Sequence, residues 1–251
     1  MFTDTHCHVY SEYYSDISKV VDESLENNIN RFITCGCNNK ENIEILNIID
    51  SYKTIFASLG IHPEKVLEYN DSDIEFIKNN LNNKKVVAIG EIGLDYHYSK
   101  EEKEEQIKLF ETQLSLSEEY NIPVIIHSRD ATMDTINTLK KYNCRGVIHS
   151  FSGSLETAKE YIKMGYLIGV NGVITFKNAN IKEVIKELPL TSIILETDSP
   201  YLTPVPFRGE KNSPKNIIYI AKFICELKNI SMEELSNITN NNIKRLFDKI
   251  Y

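Results

Sequence analysis

The chain reads as a single-domain α/β protein, a (β/α)8 TIM barrel spanning residues 1–251, and two observations lead there. Eight short apolar runs alternate with longer helical patterns along 251 residues, which is the rhythm and the length of a closed barrel of parallel strands. The later runs are near-continuous Val/Ile, as expected of strands covered on both faces. An open doubly wound sheet would share the alternation. Its Gly-rich first turn, G-x-G-x-x-G, is absent from the chain.

In order, the expected strands are "MFTDTHCH", "RFITCG", "TIFASLGIH", "KVVAIGEIG", "IPVIIHS", "CRGVIHSF", "GYLIGVNG" and "SIILETD". The segments between them carry helix-start signals. Ser72–Glu75, Ser99–Glu102 and Ser231–Glu234 fit the S-x-x-E capping box, and Ser213 before Pro214 fits an N-cap with proline at the first helical position. After Ser99, Ile107, Phe110 and Leu114 recur at helical spacing and give that helix one apolar face. The charge run "KEEKEEQIK" is its solvated side. Past the last strand lies "SPYLTPVPFRGEKNSP", which holds four of the seven prolines. In a barrel this is a loop at the C-terminal face, where active sites are built.

Composition narrows the function. With a net charge of −8 the chain has no basic sheath for gripping duplex DNA. An anionic substrate must be attracted locally, by a few basic groups or by bound cations. No apolar run is long enough to cross a bilayer, and the start has neither a basic stretch nor an apolar leader, so no membrane partner and a cytoplasmic location are expected. Cys7, Cys35, Cys37, Cys144 and Cys225 are odd in number and form no C-x-x-C, which fits reduced thiols.

The polar residues then fall in a pattern. Asp4, His6 and His8 alternate along the first strand and so share one side. His62, Glu91, His127, His149 and Asp198 each stand where a later strand runs out, and five of the six histidines are placed this way. A barrel gathers strand ends around one axis. His6, His8, Glu91, His127, His149 and Asp198 therefore suffice for two divalent cations if one carboxylate bridges, and Glu91 suits that place because its strand lies between the first and last ligands around the ring. Such a pair activates a shared water for hydrolysis. Imidazole with carboxylate suits Zn²⁺ or Mn²⁺ and, by affinity alone, Mg²⁺ less. Asp198 holds a metal, takes a proton from the water, or does both. Glu91 and Asp198 also have a plainer reading, as helix caps or ion-pair partners at strand–helix junctions.

His62 is expected to line the pocket and touch substrate without ligating. Asp4 and Asp95 either orient a ligand histidine from behind or cap a turn. Arg129, Arg208 and Lys211 are candidate phosphate contacts set against the default of solvated surface charge. His97 reads as a loop residue. No G-x-S-x-G elbow supports a serine nucleophile.

These blocks, "DTHCH", "GIHPE", "AIGEIGLDY", "PVIIHSRDA", "GVIHSFSGS" and "ETDSPYLTP" followed by "RGEKNSP", together resemble the signature blocks of the TatD family of metal-dependent deoxyribonucleases, in the family's order and spacing. They run from Asp4 to Pro214, and "NNIKRLF" resembles the family's C-terminal helix. The resemblance implies a TIM barrel of the amidohydrolase-like class. It implies one metal on His6, His8 and Asp198, a second on His127 and His149, and Glu91 between them. It also implies 3′-to-5′ exonuclease activity on DNA, single-stranded or at 3′ ends, with RNA cleaved by some members. Two departures, Ser150 where the family often has Cys and Ser199 where it often has Ala, remove no ligand. No obligate protein partner is evident. The competing functions are a small-molecule amidohydrolase acting on a cyclic amide or lactone, and a barrel that binds metal only for stability. The first commonly uses a carboxylated lysine where Glu91 stands. The second is disfavoured because structural sites are usually closed and four-coordinate.

Overall fold

The computed structural model describes residues 1–98 and 101–250. Eight strands follow one another around a single sheet, each parallel to the next: β1 (Phe2–Cys7), β2 (Ile29–Cys35), β3 (Ile55–Leu59), β4 (Val86–Asp95), β5 (Val124–Arg129), β6 (Gly146–Ile148), β7 (Leu167–Val170) and β8 (Ile193–Leu195). Between them run α1 (Ile17–Glu26), α2 (Asn39–Ser51), α3 (Asp71–Asn80), α4 (Lys103–Tyr120), α5 (Thr132–Leu139), α6 (Leu155–Lys163) and α7 (Ile181–Glu187). After β8 come α8 (Ile217–Lys228) and α9 (Met232–Leu246). This is the expected (β/α)8 barrel, and all eight expected strands are present.

The seam between β8 and β1 is closed by the residues that follow β8. Thr5 donates its hydroxyl to the Leu195 carbonyl at 3.0 Å. Asp198 N–H donates to the His6 carbonyl at 2.9 Å, and His8 N–H to the Ser199 carbonyl at 2.7 Å. Closure therefore brings Asp198 beside the two histidines of β1. Asp4 takes part in the same seam: its carboxylate accepts from the backbone N–H groups of His6 and Thr197 at 3.2 and 2.9 Å and from the Thr197 hydroxyl.

Apolar residues form two separate clusters, one on each side of the sheet. Strand alternation assigns them: on β2, Phe32 packs outward under the helices while Ile33 and Cys35 face the barrel interior. The inner cluster joins Phe56, Val87, Ile125, Val147, Leu167 and Ile194 to Ile243, Leu246, Phe247 and Ile250 from the C-terminal segment, which closes the end of the barrel opposite the strand C-termini. Lys249 fixes that segment by donating to the carbonyls of Leu81, Asn83 and Val86. Among the described residues no helix is long and apolar enough to cross a membrane.

Two helix starts differ from expectation. α3 begins one residue before Ser72; Asn70 is its N-cap, and Asp73 completes the capping box by accepting from Asn70 N–H at 3.0 Å. The asparagine side chain takes the role two positions earlier than the serine. Ser213 precedes Pro214 as expected, but a 3₁₀ turn at Pro214–Asn216 intervenes before α8, and the Ser213 hydroxyl makes no cap bond. The Ser99–Glu102 box falls partly outside the described residues. The Ser231 cap stands, its hydroxyl accepting from Glu234 N–H at 3.1 Å. Phe110 and Leu114 are buried on α4, with Ile107 partly buried beside them.

Candidate metal centre

Glu91 occupies the middle of the mouth. It was expected at the end of its strand; β4 instead continues four residues beyond it, with a register break against β5 between Ile89 and Ile92. That break turns the carboxylate, 3% exposed as a residue, into the space between the other strand ends. Its two oxygens have different neighbours. Oε2 lies 3.3 Å from His6 Nε2 and 3.7 Å from His8 Nε2. Oε1 lies 2.8 Å from His127 Nδ1, 3.3 Å from His149 Nε2 and 3.6 Å from His62 Nε2. Asp198 Oδ1 completes the first group, 3.6 and 3.5 Å from the Nε2 atoms of His6 and His8. Three sets of ligand-capable atoms result: His6, His8 and Glu91; His6, His149 and Asp198; and His62, Glu91 and His127.

The partners behind the rings fix where their protons sit. His8 Nδ1 is 3.0 Å from the Cys35 carbonyl, which only accepts, so Nδ1 carries the proton and Nε2 presents a lone pair to the cluster. His127 Nε2 is 2.8 Å from the Asp95 carboxylate, leaving Nδ1 to face Glu91. His149 Nδ1 lies 3.2 Å from Glu196 Oε1, without hydrogen-bond alignment, and turns Nε2 inward. His62 is reversed. Its Nδ1 accepts from Glu64 N–H at 3.2 Å, so in the neutral ring the proton lies on Nε2 and a donor points into the site. His62 sits three residues past β3, ahead of the 3₁₀ turn Pro63–Lys65.

The electrostatics agree with this division. Burial and the neighbouring His127 push His62 down to about 3, so it is neutral. Burial opposes protonation of His149 too, but Glu196, Glu91 and Asp198 outweigh it and raise the ring to about 10. His127 is likewise raised, to about 9, by Asp95 and Glu91 against the effect of burial. Burial alone would raise Glu91, yet His149, His6 and His62 hold it well below the usual carboxylate range. Asp198 is lowered in the same way, chiefly by His8.

Among the described residues no Lys or Arg forms an ion pair with Glu91, Asp95, Asp198 or Glu196. Buried carboxylates whose only potentially cationic neighbours are imidazoles need protons or metal cations for charge balance. The donor set, the inward ring nitrogens of His6, His8, His127 and His149 around the oxygens of Glu91 and Asp198, fits divalent cations of the Zn²⁺ or Mn²⁺ type once the ring protons are displaced.

Glu196 was missed by the sequence reading. It is fully buried, and its Oε1 accepts from Ser150 N–H at 2.5 Å beside His149. Gly169 on β7 makes room for it: a Cβ there would stand 2.5 Å from Glu196 Oε2. The signal was available, because Glu196 and Asp198 are spaced by two, as His6 and His8 are. Cys35 was also missed; beyond its carbonyl, its Sγ lies 3.4 Å from His6 Nδ1.

The basic candidates lie apart from the cluster. Arg129 ends β5, its guanidinium 5.3 Å from the Tyr98 ring centre, and lines a cavity of about 480 Å³ that shares His149 as a wall. Arg208 stacks 4.4 Å over Phe176. Lys211 donates to the Tyr13 carbonyl and lies 4.5 Å over the Tyr14 ring. His97 pairs with Asp130 at 3.0 Å. A second cavity, of about 340 Å³, lies on the other side of Asp95 and is walled by Glu64, Glu68 and Glu102.

Residues 3–248 match the model of the family described as TatD related DNase. YabD of Bacillus subtilis strain 168, an uncharacterized metal-dependent hydrolase, is 40% identical over 252 residues, covering 98% of this chain and 99% of that one. Among solved structures, the TatD homolog YjjV of Escherichia coli K12 superposes with a TM-score of 0.93 at 32% identity, over 98% of both chains. A TatD family hydrolase from Entamoeba histolytica gives a TM-score of 0.88 at 26% identity, covering 98% of this chain and 97% of that one.

Proposed function

The chain belongs to the TatD-related DNase family of metal-dependent hydrolases, and on that premise we propose that it hydrolyses phosphodiester bonds at DNA ends, as a 3′-to-5′ exodeoxyribonuclease. The observation that carries this reading is the split of imidazoles between the two oxygens of Glu91. His6, His8 and Asp198 would hold one divalent cation, His127 and His149 the other, and Glu91 both. When bound, such a pair supplies an activated water and stabilises the charge that grows on a phosphodiester in its transition state.

The chain's own groups do the rest. Asp198, whose side chain is the most open of the carboxylates around the two β1 histidines, accepts the proton of the attacking water. Neutral His62 offers Nε2–H to a phosphate oxygen, so it contacts substrate without ligating. Asp95 holds His127 in its ligating tautomer from behind, and the charge of Glu196 beside His149 Nδ1 favours a proton there. Asp4 acts indirectly, by locking the β8–β1 seam that sets His6 and Asp198. Arg129 reaches phosphate beside the metal centre, and Arg208 and Lys211 do so from the Pro-rich loop. A few such contacts suffice for a strand end, which agrees with a net charge of −8.

The test is direct. Metal-stripped protein is incubated with end-labelled single-stranded DNA, and Mg²⁺, Mn²⁺ or Zn²⁺ is added separately. A ladder shortening from the 3′ end is expected, and Glu91→Ala should reduce its rate by at least about 10²-fold. An untouched strand under every ion, beside turnover of a cyclic amide or lactone, would replace this reading with the amidohydrolase one.

A further inference from the structure

Three of the ring nitrogens turned away from the cluster face an oxygen: His8 Nδ1 the Cys35 carbonyl, His127 Nε2 the Asp95 carboxylate, and His149 Nδ1 the Glu196 carboxylate. His6 differs. Its Nδ1 meets a sulfur, the Cys35 thiol, at 3.4 Å. Both residues are fully buried, so water has no access to that nitrogen. Cys35 therefore touches both histidines of β1, His8 through its backbone and His6 through its side chain.

The chain around Cys35 is fixed for this contact. β2 ends at Cys35, and Gly36 follows. Gly36 donates its N–H to the Ser58 carbonyl at 3.0 Å, and its own carbonyl accepts from Glu91 N–H at 3.1 Å. A β-carbon on Gly36 would collide with the Asn42 side chain, whose amide bonds both the N–H and the carbonyl of Gly60. The end of β2 is thus held from three sides, beside the first metal position.

The hydrogen bonds can be accounted for in full. The Cys35 Sγ lies 4.0 Å from the Ile33 carbonyl, which takes the thiol hydrogen and leaves a sulfur lone pair for His6. A cation on His6 Nε2 requires the ring proton on Nδ1. That N–H is buried, and sulfur is the acceptor within its reach. A buried N–H with no acceptor would weaken the metal-bound state, which depends on it.

We propose that Cys35 is a positioning residue for the cation held by His6, His8 and Asp198: its thiol accepts the His6 Nδ1 proton and keeps Nε2 turned to the metal. It touches neither the cation nor the substrate. This rests on the metal reading above and adds to it a sulfur in the place that a carboxylate holds behind His127.

Titration of metal-free protein with Mn²⁺, followed by calorimetry and electron paramagnetic resonance, tests the assignment. Cys35→Val occupies similar space without an acceptor. One of the two ions should then bind about ten- to a hundredfold more weakly, as for other groups that orient a ligand from behind, and the other should be unchanged. The spin-coupled signal should appear only at correspondingly higher Mn²⁺. His8 keeps its carbonyl partner in every variant, so the change isolates the thiol. Cys35→Ser returns an acceptor and should bring the weakened ion back to within about threefold. If Cys35→Val does not fold, Cys35→Ala carries the same expectation. Affinities unmoved by loss of the thiol, or Cys35→Ser as weak as Cys35→Val, would overturn the proposal. Two ions with indifferent variants remove the role of the thiol alone. A single ion in the unaltered protein, weakened in Cys35→Val and restored in Cys35→Ser, keeps that role and removes the metal pair.

Discussion

The two ends of the barrel solve opposite problems with the same strands. At the closed end, Ile243, Leu246, Phe247 and Ile250 fill the interior against apolar side chains from β2 to β8, and Lys249 satisfies three carbonyls. At the mouth, the interior positions are His6, His8, Glu91, His127, His149 and Asp198, ligand-capable groups gathered against one another instead of an apolar filling. The backbone shows the same contrast. At helix C-termini the left-handed conformation falls on Asn28, Asn121, Asn229 and Gly165, residue types that adopt it at little cost. At the mouth it falls on Asp130 and Asp198, which also tolerate it, and on Ser150 and Leu202, where such geometry costs of order 1–3 kcal/mol per residue. Stability is concentrated at one end so that strain and buried charge can be tolerated at the other.

If the ends are separable in this way, damage to one should spare the other. Phe247→Ala removes a fully buried ring and is expected to cost about 3–5 kcal/mol in urea unfolding, while the folded protein keeps its metal stoichiometry. A loss below about 1 kcal/mol, or metal lost in step with stability, would join the two ends.

The mouth should also be the pH-sensitive end. At neutral pH in metal-free protein His149 and His127, raised to about 10 and about 9, hold protons against their carboxylates. Their pKa values are raised on folding, so the stabilisation is complete below the ordinary histidine value and is lost as pH rises through about 9 to 10. Metal must displace these protons, so affinity should increase with pH across the neutral range. Calorimetry of metal binding in two buffers of different ionisation enthalpy should show proton release. A buffer-independent heat would contradict the assignment of these rings.

The smallest effect is expected at a helix end. Asn229→Ala places a β-carbon with no side-chain amide in a left-handed position and should cost about 1–2 kcal/mol with catalysis intact. A change in metal content there would mean that strain at the mouth is coupled to the helix ends.

Much of this architecture was legible in the sequence. The eight strands could be read because each is a short β-branched run between helical patterns. The ligand candidates could be read because imidazole at the end of an apolar strand is costly unless something binds it. Glu196 escaped because a carboxylate fully buried behind a ligand looks the same, in sequence, as a turn residue. The break that places Glu91 mid-strand also escaped, since a register shift depends on the neighbouring strand rather than on local composition. The start of α3 was misread because asparagine and serine both cap helices, and only geometry chooses between Asn70 and Ser72.

The central claim is that Glu91 joins two metal positions. Titrating metal-free protein with Mn²⁺ and recording electron paramagnetic resonance tests it most directly. Two ions per chain should bind and give a spin-coupled spectrum, which Glu91→Gln converts to isolated six-line signals or to a single ion. One uncoupled Mn²⁺ per chain in the unaltered protein would contradict it.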